Sequence, residues 1–199
     1  EDDFSGKSVS NAGDVNGDGF DDVIIGAFGA DPNGSNSGSS YVVFGKAAGF
    51  DAAMDLSSLD GTDGFRLDGE AILYSYSNYS IQMDSISNAG DINGDGFDDV
   101  LVGAHLRDST SALYPFDIGY SYVVFGKSSG FSPTMDLSSL DGSNGFRVTQ
   151  FRSDGSHVSS AGDMNGDGFD DLILGAPTSF TFNDIDDSYV VFGKAGGFN

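Results

Sequence analysis

Cysteine and tryptophan are absent from this 199-residue chain, proline occurs only four times, and 8 basic residues face 31 acidic ones. Without cysteine there is no disulfide framework and no thiol nucleophile, although the compartment stays open. The formal net charge of −23 disfavours nucleic acid and anionic membrane surfaces as partners, and suits salty or calcium-rich surroundings. No stretch approaches the ~18 consecutive apolar residues of a membrane-spanning helix. No leader-like segment opens the chain, as would also hold for a mature or excised segment. Catalytic signatures are equally scarce. The only histidines, His105 and His157, occupy non-equivalent positions, and HExxH, GxSxG and GxxxxGK[ST] are missing; Gly126-Lys127-Ser128 has Ser121 where the upstream glycine would stand. A glycosidase-like carboxylate pair is the one catalytic arrangement left open, and the expectation is that the chain is not an enzyme.

What is present in quantity is glycine, 30 residues, with 13% aromatics, the composition of a turn-rich all-β protein long enough for one core or for several repeats sharing one. A nine-residue loop occurs three times: DVNGDGFDD at Asp14–Asp22, DINGDGFDD at Asp91–Asp99 and DMNGDGFDD at Asp163–Asp171. Calcium-sized hard cations take six to eight oxygen ligands. Positions 1, 3 and 5 (Asp14, Asn16, Asp18) put oxygens on alternate residues, which converge if the backbone curls. Gly17 and Gly19 permit the curl, so that the Phe20 carbonyl at position 7 also faces inward. Asp22 at position 9 closes the cage as the expected bidentate ligand. Position 12, where an EF-hand carries glutamate, falls on Ile25, Val102 and Leu174 inside short apolar, β-branched runs, so each loop leads into a strand. Asn-Gly and Asp-Gly also favour plain turns. Three copies at identical spacing, each with four mutually repelling aspartates, point instead to a cation. Magnesium fits less well, because it demands a strict octahedron and keeps several waters.

The repeat extends beyond the loop. SVSNAGD, SISNAGD and HVSSAGD precede it, runs ending at Ala27, Ala104 and Ala176 follow it, and YVVFGK recurs at Tyr41–Lys46, Tyr122–Lys127 and Tyr189–Lys194. Each unit offers about four short strands, with at most one helical turn, over Asp51–Leu59. The loops recur at intervals of 77 and 72 residues, a period that signals stacked or radially arranged units such as propeller blades. The extra length sits in inserts at Glu70–Ser85, with Tyr74, Tyr76 and Tyr79, and at Leu106–Gly119. Either the tyrosines form a binding loop or their hairpin packs on its own blade. The sequons at Asn33 and Asn78 read as chance matches in a Ser/Gly-rich chain.

The combination of YVVFG, Gly175-Ala176-Pro177 and the DxNxDGxxD loop resembles the FG-GAP repeats of integrin-α-type β-propellers, in the wording of bacterial or marine extracellular versions. The resemblance covers essentially the whole chain. It implies an all-β fold of three four-stranded blades, a partial propeller or one completed by self-assembly, in a single repeat domain over 1–199 with blades at about 1–69, 70–150 and 151–199. The last blade is expected to lack its final strand. Transferred position by position, the implied calcium ligands are Asp14, Asn16, Asp18, the Phe20 carbonyl and Asp22; Asp91, Asn93, Asp95, the Phe97 carbonyl and Asp99; and Asp163, Asn165, Asp167, the Phe169 carbonyl and Asp171. Asp21, Asp98 and Asp170 at position 8 point the other way in an extended chain and are left out.

The expected function is a non-catalytic calcium-binding module of the extracellular space or cell surface, with three structural Ca²⁺ ions, serving adhesion to a protein or glycan. The alternative is a self-assembling filament or surface-layer protein, motivated by the missing strand, whose unpaired edge invites strand addition. An accessory domain of a polysaccharide-active hydrolase or lyase has less support. Neither nucleic-acid binding nor membrane insertion is expected.

Overall fold

The computed structural model describes residues 3–70, 79–108, 118–151, 157–176 and 187–198. The three copies of the repeat fold into three sheets, antiparallel except for one added strand of the first. The first contains β1 (Ser8–Gly13), β2 (Asp22–Ala27), β3 (Ser39–Val43) and β4 (Gly64–Asp68) in that order. The second contains β5 (Tyr79–Gly90), β6 (Asp99–Asp108), β7 (Ile118–Val124) and β9 (Gly145–Phe151). Among the described residues the third has three strands, β10 (His157–Gly162), β11 (Asp171–Ala176) and β12 (Asp187–Val191). Strand β5 touches both β1 and β10, so the small-residue first strands lie side by side, as the inner strands of successive blades in a partial β-propeller. No helix among the described residues is long and apolar enough to cross a membrane.

The second strand of each unit is apolar on both sides, and in the middle unit sheets pack on both sides of it. Ile24 is fully buried against the second sheet, whereas Val23, facing the other way, is 46% exposed. Its counterparts Val100 and Leu172 are fully buried, each covered by the preceding sheet. The relation inverts at the third sheet, where Ile173 is 42% exposed and its counterpart Leu101 is buried. Two cores result. Ile24, Val42, Phe65 and Leu67 meet Met83, Val100, Val102 and Tyr122 between the first and second sheets. Ala89, Ile92, Leu101 and Val123 meet Val158, Leu172 and Leu174 between the second and third. Full burial of one such aliphatic side chain contributes about 1.5–3 kcal/mol, so each inter-sheet face outweighs any single polar contact.

One segment leaves the unit its sequence position assigns it to. Strand β8 (Thr134–Asp136), within the second repeat's span, pairs in parallel with β4 of the first sheet, Leu67 opposite Met135. The FGK-x-x-GF stretch steers it there. Lys127 Nζ donates to the Gly130 carbonyl at 3.0 Å and lies 4.9 Å from the centroid of the Phe131 ring, locking that turn. The Phe131 ring then stacks on Phe65 at 4.7 Å and tilts against Phe44 at 5.1 Å, both in the first unit. Lys194 and Phe198 repeat the device on Phe146 and Phe125 of the second unit, with the Phe146 and Phe198 rings 4.4 Å apart. Phe50, the first unit's equivalent, is 56% exposed.

The expected helical turn is a three-residue 3-10 helix at Leu56–Ser58, repeated at Leu137–Ser139, with Asp55 and Asp136 each capping it through a side-chain oxygen that accepts an amide at 2.9 Å. The second carboxylate oxygen of Asp136 accepts from Asn33 Nδ2 at 2.8 Å, and that same amide donates to the Gly69 carbonyl at 2.9 Å. The side-chain nitrogen of the first sequon is thus engaged in two hydrogen bonds within the fold. Asn78, Tyr74 and Tyr76 lie outside the described residues, and Tyr79 opens β5.

Candidate metal centres

All three loops connect the first strand of a sheet to the second, Asp14–Asp22 between β1 and β2, Asp91–Asp99 between β5 and β6, Asp163–Asp171 between β10 and β11. The entry is a register shift between Asn11 and Gly13, mirrored at Asn88/Gly90 and Ser160/Gly162. The Asn11 side chain accepts the Gly13 amide at 2.6 Å, and Gly13 turns at φ 75°, sending the chain out of the sheet.

Within the loop, short polar side chains take the backbone amides that would otherwise continue the ladder. Asp14 accepts the Asp18 and Gly19 amides at 3.0 and 2.9 Å, Asn16 Oδ1 accepts the Asp18 amide at 2.9 Å, and Asp18 Oδ1 accepts the Phe20 amide at 2.9 Å. Positive φ at Gly17 and Gly19 closes the curl. The same bonds recur in the second loop, where Asp91 accepts the Asp95 and Gly96 amides at 2.9 and 2.8 Å, and in the third, where Asp163 accepts those of Asp167 and Gly168 at 3.0 and 2.9 Å. The amides of Gly168, Gly166 and Asp167 hold the Asp163 carboxyl below the usual carboxylate range.

Position 9 is fully buried in all three loops, at Asp22, Asp99 and Asp171. Each carboxylate bridges its own loop to the end of the third strand. Asp22 accepts the Val15 amide at 3.0 Å and the Gly45 amide at 2.8 Å; Asp99 accepts those of Ile92 and Gly126 at 3.1 and 2.9 Å; Asp171 accepts those of Met164 and Gly193, both at 2.9 Å. Desolvation by burial pushes the Asp22 carboxyl up to about 6 and the Asp99 carboxyl up to about 8, against the lowering pull of these amides. The position-1 and position-5 carboxylates of the same loop add to the rise. Burying an anionic carboxylate beside two others is a cost that a bound cation relieves.

The donors are oxygen throughout, the set that a hard cation such as calcium takes. They are also mixed. Among the described residues no three side chains of the His, Cys, Asp or Glu type gather closely enough to hold a metal ion on their own.

Positions 7 and 8 have a role that sequence reasoning missed. The Asp98 carboxylate accepts the Asp14 amide of the preceding loop at 2.8 Å, and the Asp98 amide donates to the Asp14 carbonyl at 3.2 Å. Asp170 makes the same pair with Asp91, at 2.9 and 3.3 Å. The Phe97 ring lies against Gly17, and the Phe169 ring against Gly94, so closely that a β-carbon on either glycine would overlap the ring. Asp21 and Phe20, the first loop's equivalents, are exposed. The signal available in the sequence was the invariance of Phe-Asp across the three loops, which the metal shell alone does not require.

The model of the FG-GAP repeat matches residues 5–43, 84–124 and 155–191, each span running from the first strand through the loop to the third strand. The chain is similar to integrin alpha-5 of Xenopus laevis, 31% identical over 179 residues, 89% of this chain and 14% of that protein. It is also similar to integrin alpha-4 of Xenopus laevis, 33% identical over 110 residues, 54% of this chain and 9% of that protein. A phosphatidylinositol-glycan-specific phospholipase D of Bos taurus is 29% identical over 171 residues, 82% of this chain and 18% of that protein. The chain thus spans less than a fifth of the length of each of these relatives. With three matched repeats covering more than half of its residues and three sheets carrying the same loop at the same strand junction, the chain belongs to the FG-GAP repeat family, of the integrin-α type.

Proposed function

We propose that this chain is a calcium-stabilised, extracellular ligand-binding module of the adhesion type, without catalytic activity of its own. The observation that carries the proposal is the thrice-repeated loop in which side-chain oxygens at positions 1, 3 and 5 curl over two positive-φ glycines beside a buried position-9 carboxylate. Asp14, Asn16, Asp18, the Phe20 carbonyl and Asp22 would hold one Ca²⁺, and the equivalent residues at 91–99 and 163–171 the other two. Likeness to integrin alpha chains supports a protein ligand at an extracellular site, with a glycan the other ligand chemistry to test. The phospholipase D relatives are matched over 18% of their length, which lends the chain no reaction. Titration calorimetry of metal-stripped protein tests the core of the proposal. Three calcium sites per chain, with magnesium much weaker, are expected. No binding by about 10 mM calcium, beyond the range of extracellular modules, would refute it.

A second reading, self-association of copies, is favoured by one observation. Met164, Ile173, Val190 and Phe192 are exposed on the third sheet, while their first-unit counterparts Val15, Ile24, Val42 and Phe44 are buried under the next sheet. The outward side of the first sheet, with Val9 and Val23 exposed, repeats the surface that covers them. Sedimentation in calcium discriminates: a monomer across the micromolar range removes this reading, and a calcium-dependent dimer or polymer establishes it.

A further inference from the structure

We propose that the three loops bind calcium as a coupled row, with Asp98 and Asp170 as the positioning residues that couple them. The inference rests on the calcium reading above and goes beyond it, because three filled loops could equally be three independent sites.

The geometry points to coupling through contiguous atoms. In the second loop the Phe97 carbonyl is a ligand position, while the ring of the same residue lies on Gly17 of the first loop. The next residue, Asp98, grips Asp14, the position-1 ligand of the first loop, through both its carboxylate and its amide. The grip continues one residue on, where the Lys127 amide donates to the Val15 carbonyl at 3.0 Å. Whatever fixes residues 97 and 98 therefore fixes positions 1 and 4 of the preceding loop, and Lys127 fixes position 2. Phe169, Asp170 and Lys194 hold the second loop in the same way, with the Lys194 amide 2.9 Å from the Ile92 carbonyl.

Ordering a loop costs conformational entropy, and a loop already held by its ordered neighbour loses less when it binds. The sign of the coupling is therefore positive. Two dications in adjacent loops repel, but the Asp98 and Asp170 carboxylates stand at the two junctions with the opposite charge, and the exposed loops are screened by salt. Exposure follows the same order. Asp14 and Asp91, each gripped by a following loop, are half-buried, whereas Asp163 at the third loop is exposed.

The test is a calcium titration of the metal-stripped, ¹⁵N-labelled chain, following the amides of Gly19, Gly96 and Gly168. Each donates to its own loop's position-1 carboxylate and so reports one loop. Asp98→Ala is expected to weaken calcium at 14–22 by about fivefold or more and leave 163–171 within about twofold. Asp98→Asn, which keeps an acceptor oxygen, should recover most of the loss, and Asp21→Ala should change nothing. Asp170→Ala should move the effect one loop along, to 91–99. Should Asp98→Ala not fold, Phe97→Leu removes the ring over Gly17 but keeps the carbonyl, and is expected to act in the same direction. An equal loss at all three loops, or a loss confined to 91–99, would overturn the coupling and leave the calcium sites standing. An unmodified chain in which no glycine amide responds to calcium would overturn the calcium reading itself, and the coupling with it.

Discussion

The Asp14 amide donates to Asp98 Oδ2 at 2.8 Å while the Asp98 amide donates back to the Asp14 carbonyl at 3.2 Å, so residues 84 apart in sequence share a closed pair of hydrogen bonds. Neither residue is in a strand. The pair joins two irregular loops that otherwise touch through the Phe97 ring on Gly17 and through the sheets beneath them.

Breaking the pair has a cost that does not depend on metal. Asp98→Ala leaves the half-buried Asp14 amide without its acceptor, and is expected to destabilise the protein by about 1–2 kcal/mol in urea denaturation with excess chelator. Asp21→Ala, at the exposed equivalent position, should stay within about 0.5 kcal/mol. Equal values for the two would show that the Asp14–Asp98 pair contributes nothing.

Asp22→Ala removes one carboxylate that meets two amides, those of Val15 and Gly45, in a buried setting. A loss of about 2–5 kcal/mol is expected in chelator, since each unmet buried donor costs about 1–3 kcal/mol. In calcium titrations Asp22→Ala should weaken its loop more than Asp21→Ala does. A variant as stable as the parent without metal would mean that the carboxylate serves only the cation.

Gly94→Ala and Gly166→Ala both place a side chain at positive φ, 74° and 77°. A β-carbon at Gly94 also overlaps the Phe169 ring, whereas one at Gly166 meets nothing within 4 Å. Gly166→Ala should therefore cost about 1–2 kcal/mol from backbone strain alone, and Gly94→Ala clearly more. Matched chemical denaturation curves give the comparison, and indistinguishable midpoints would remove the ring contact as a structural factor.

Phe198→Ala should cost about 3 kcal/mol, the low end for a buried phenylalanine, because the residue is 6% exposed and its ring is stacked on Phe146. Phe50→Ala, at an exposed ring, should stay within about 0.5 kcal/mol. Thermal denaturation separates these outcomes, and equal midpoints would show that the aromatic bridge between units carries no stability.

Removing calcium should lower the melting temperature, and the shift should grow with the calcium concentration of the reference sample. At about 100 times Kd each filled site adds ~2.7 kcal/mol to the folded state. Scanning calorimetry across a calcium series checks this. A melting temperature that is flat from chelator to 10 mM calcium contradicts calcium-linked folding.

Much of the architecture was legible in the chain because it depends on local rules repeated three times. The nine-residue loop, the strand after it and the period near 75 residues follow from turn chemistry, β-branched runs and repetition, and they place each loop between the first and second strands of its sheet. What escaped was the traffic between units. Residues 134–136 sit in the second repeat by sequence yet complete the first sheet, because Phe131, locked by Lys127, finds its aromatic partners Phe44 and Phe65 one unit back.

The loops themselves show where the division lies. Sequence by itself determined the oxygen-bearing side chains of the loops, their spacing and the glycines that let the chain curl, since these involve residues within nine positions of one another. It also determined the acidic balance and the family. Tertiary structure alone decided that identical Phe-Asp pairs differ, with Phe20-Asp21 exposed and Phe97-Asp98 and Phe169-Asp170 wedged onto a neighbouring loop. It likewise decided that Val23 is exposed where Val100 is buried. The reason is physical: burial and hydrogen-bond partners are properties of what packs against a residue, and identical segments acquire different neighbours according to their place in the stack.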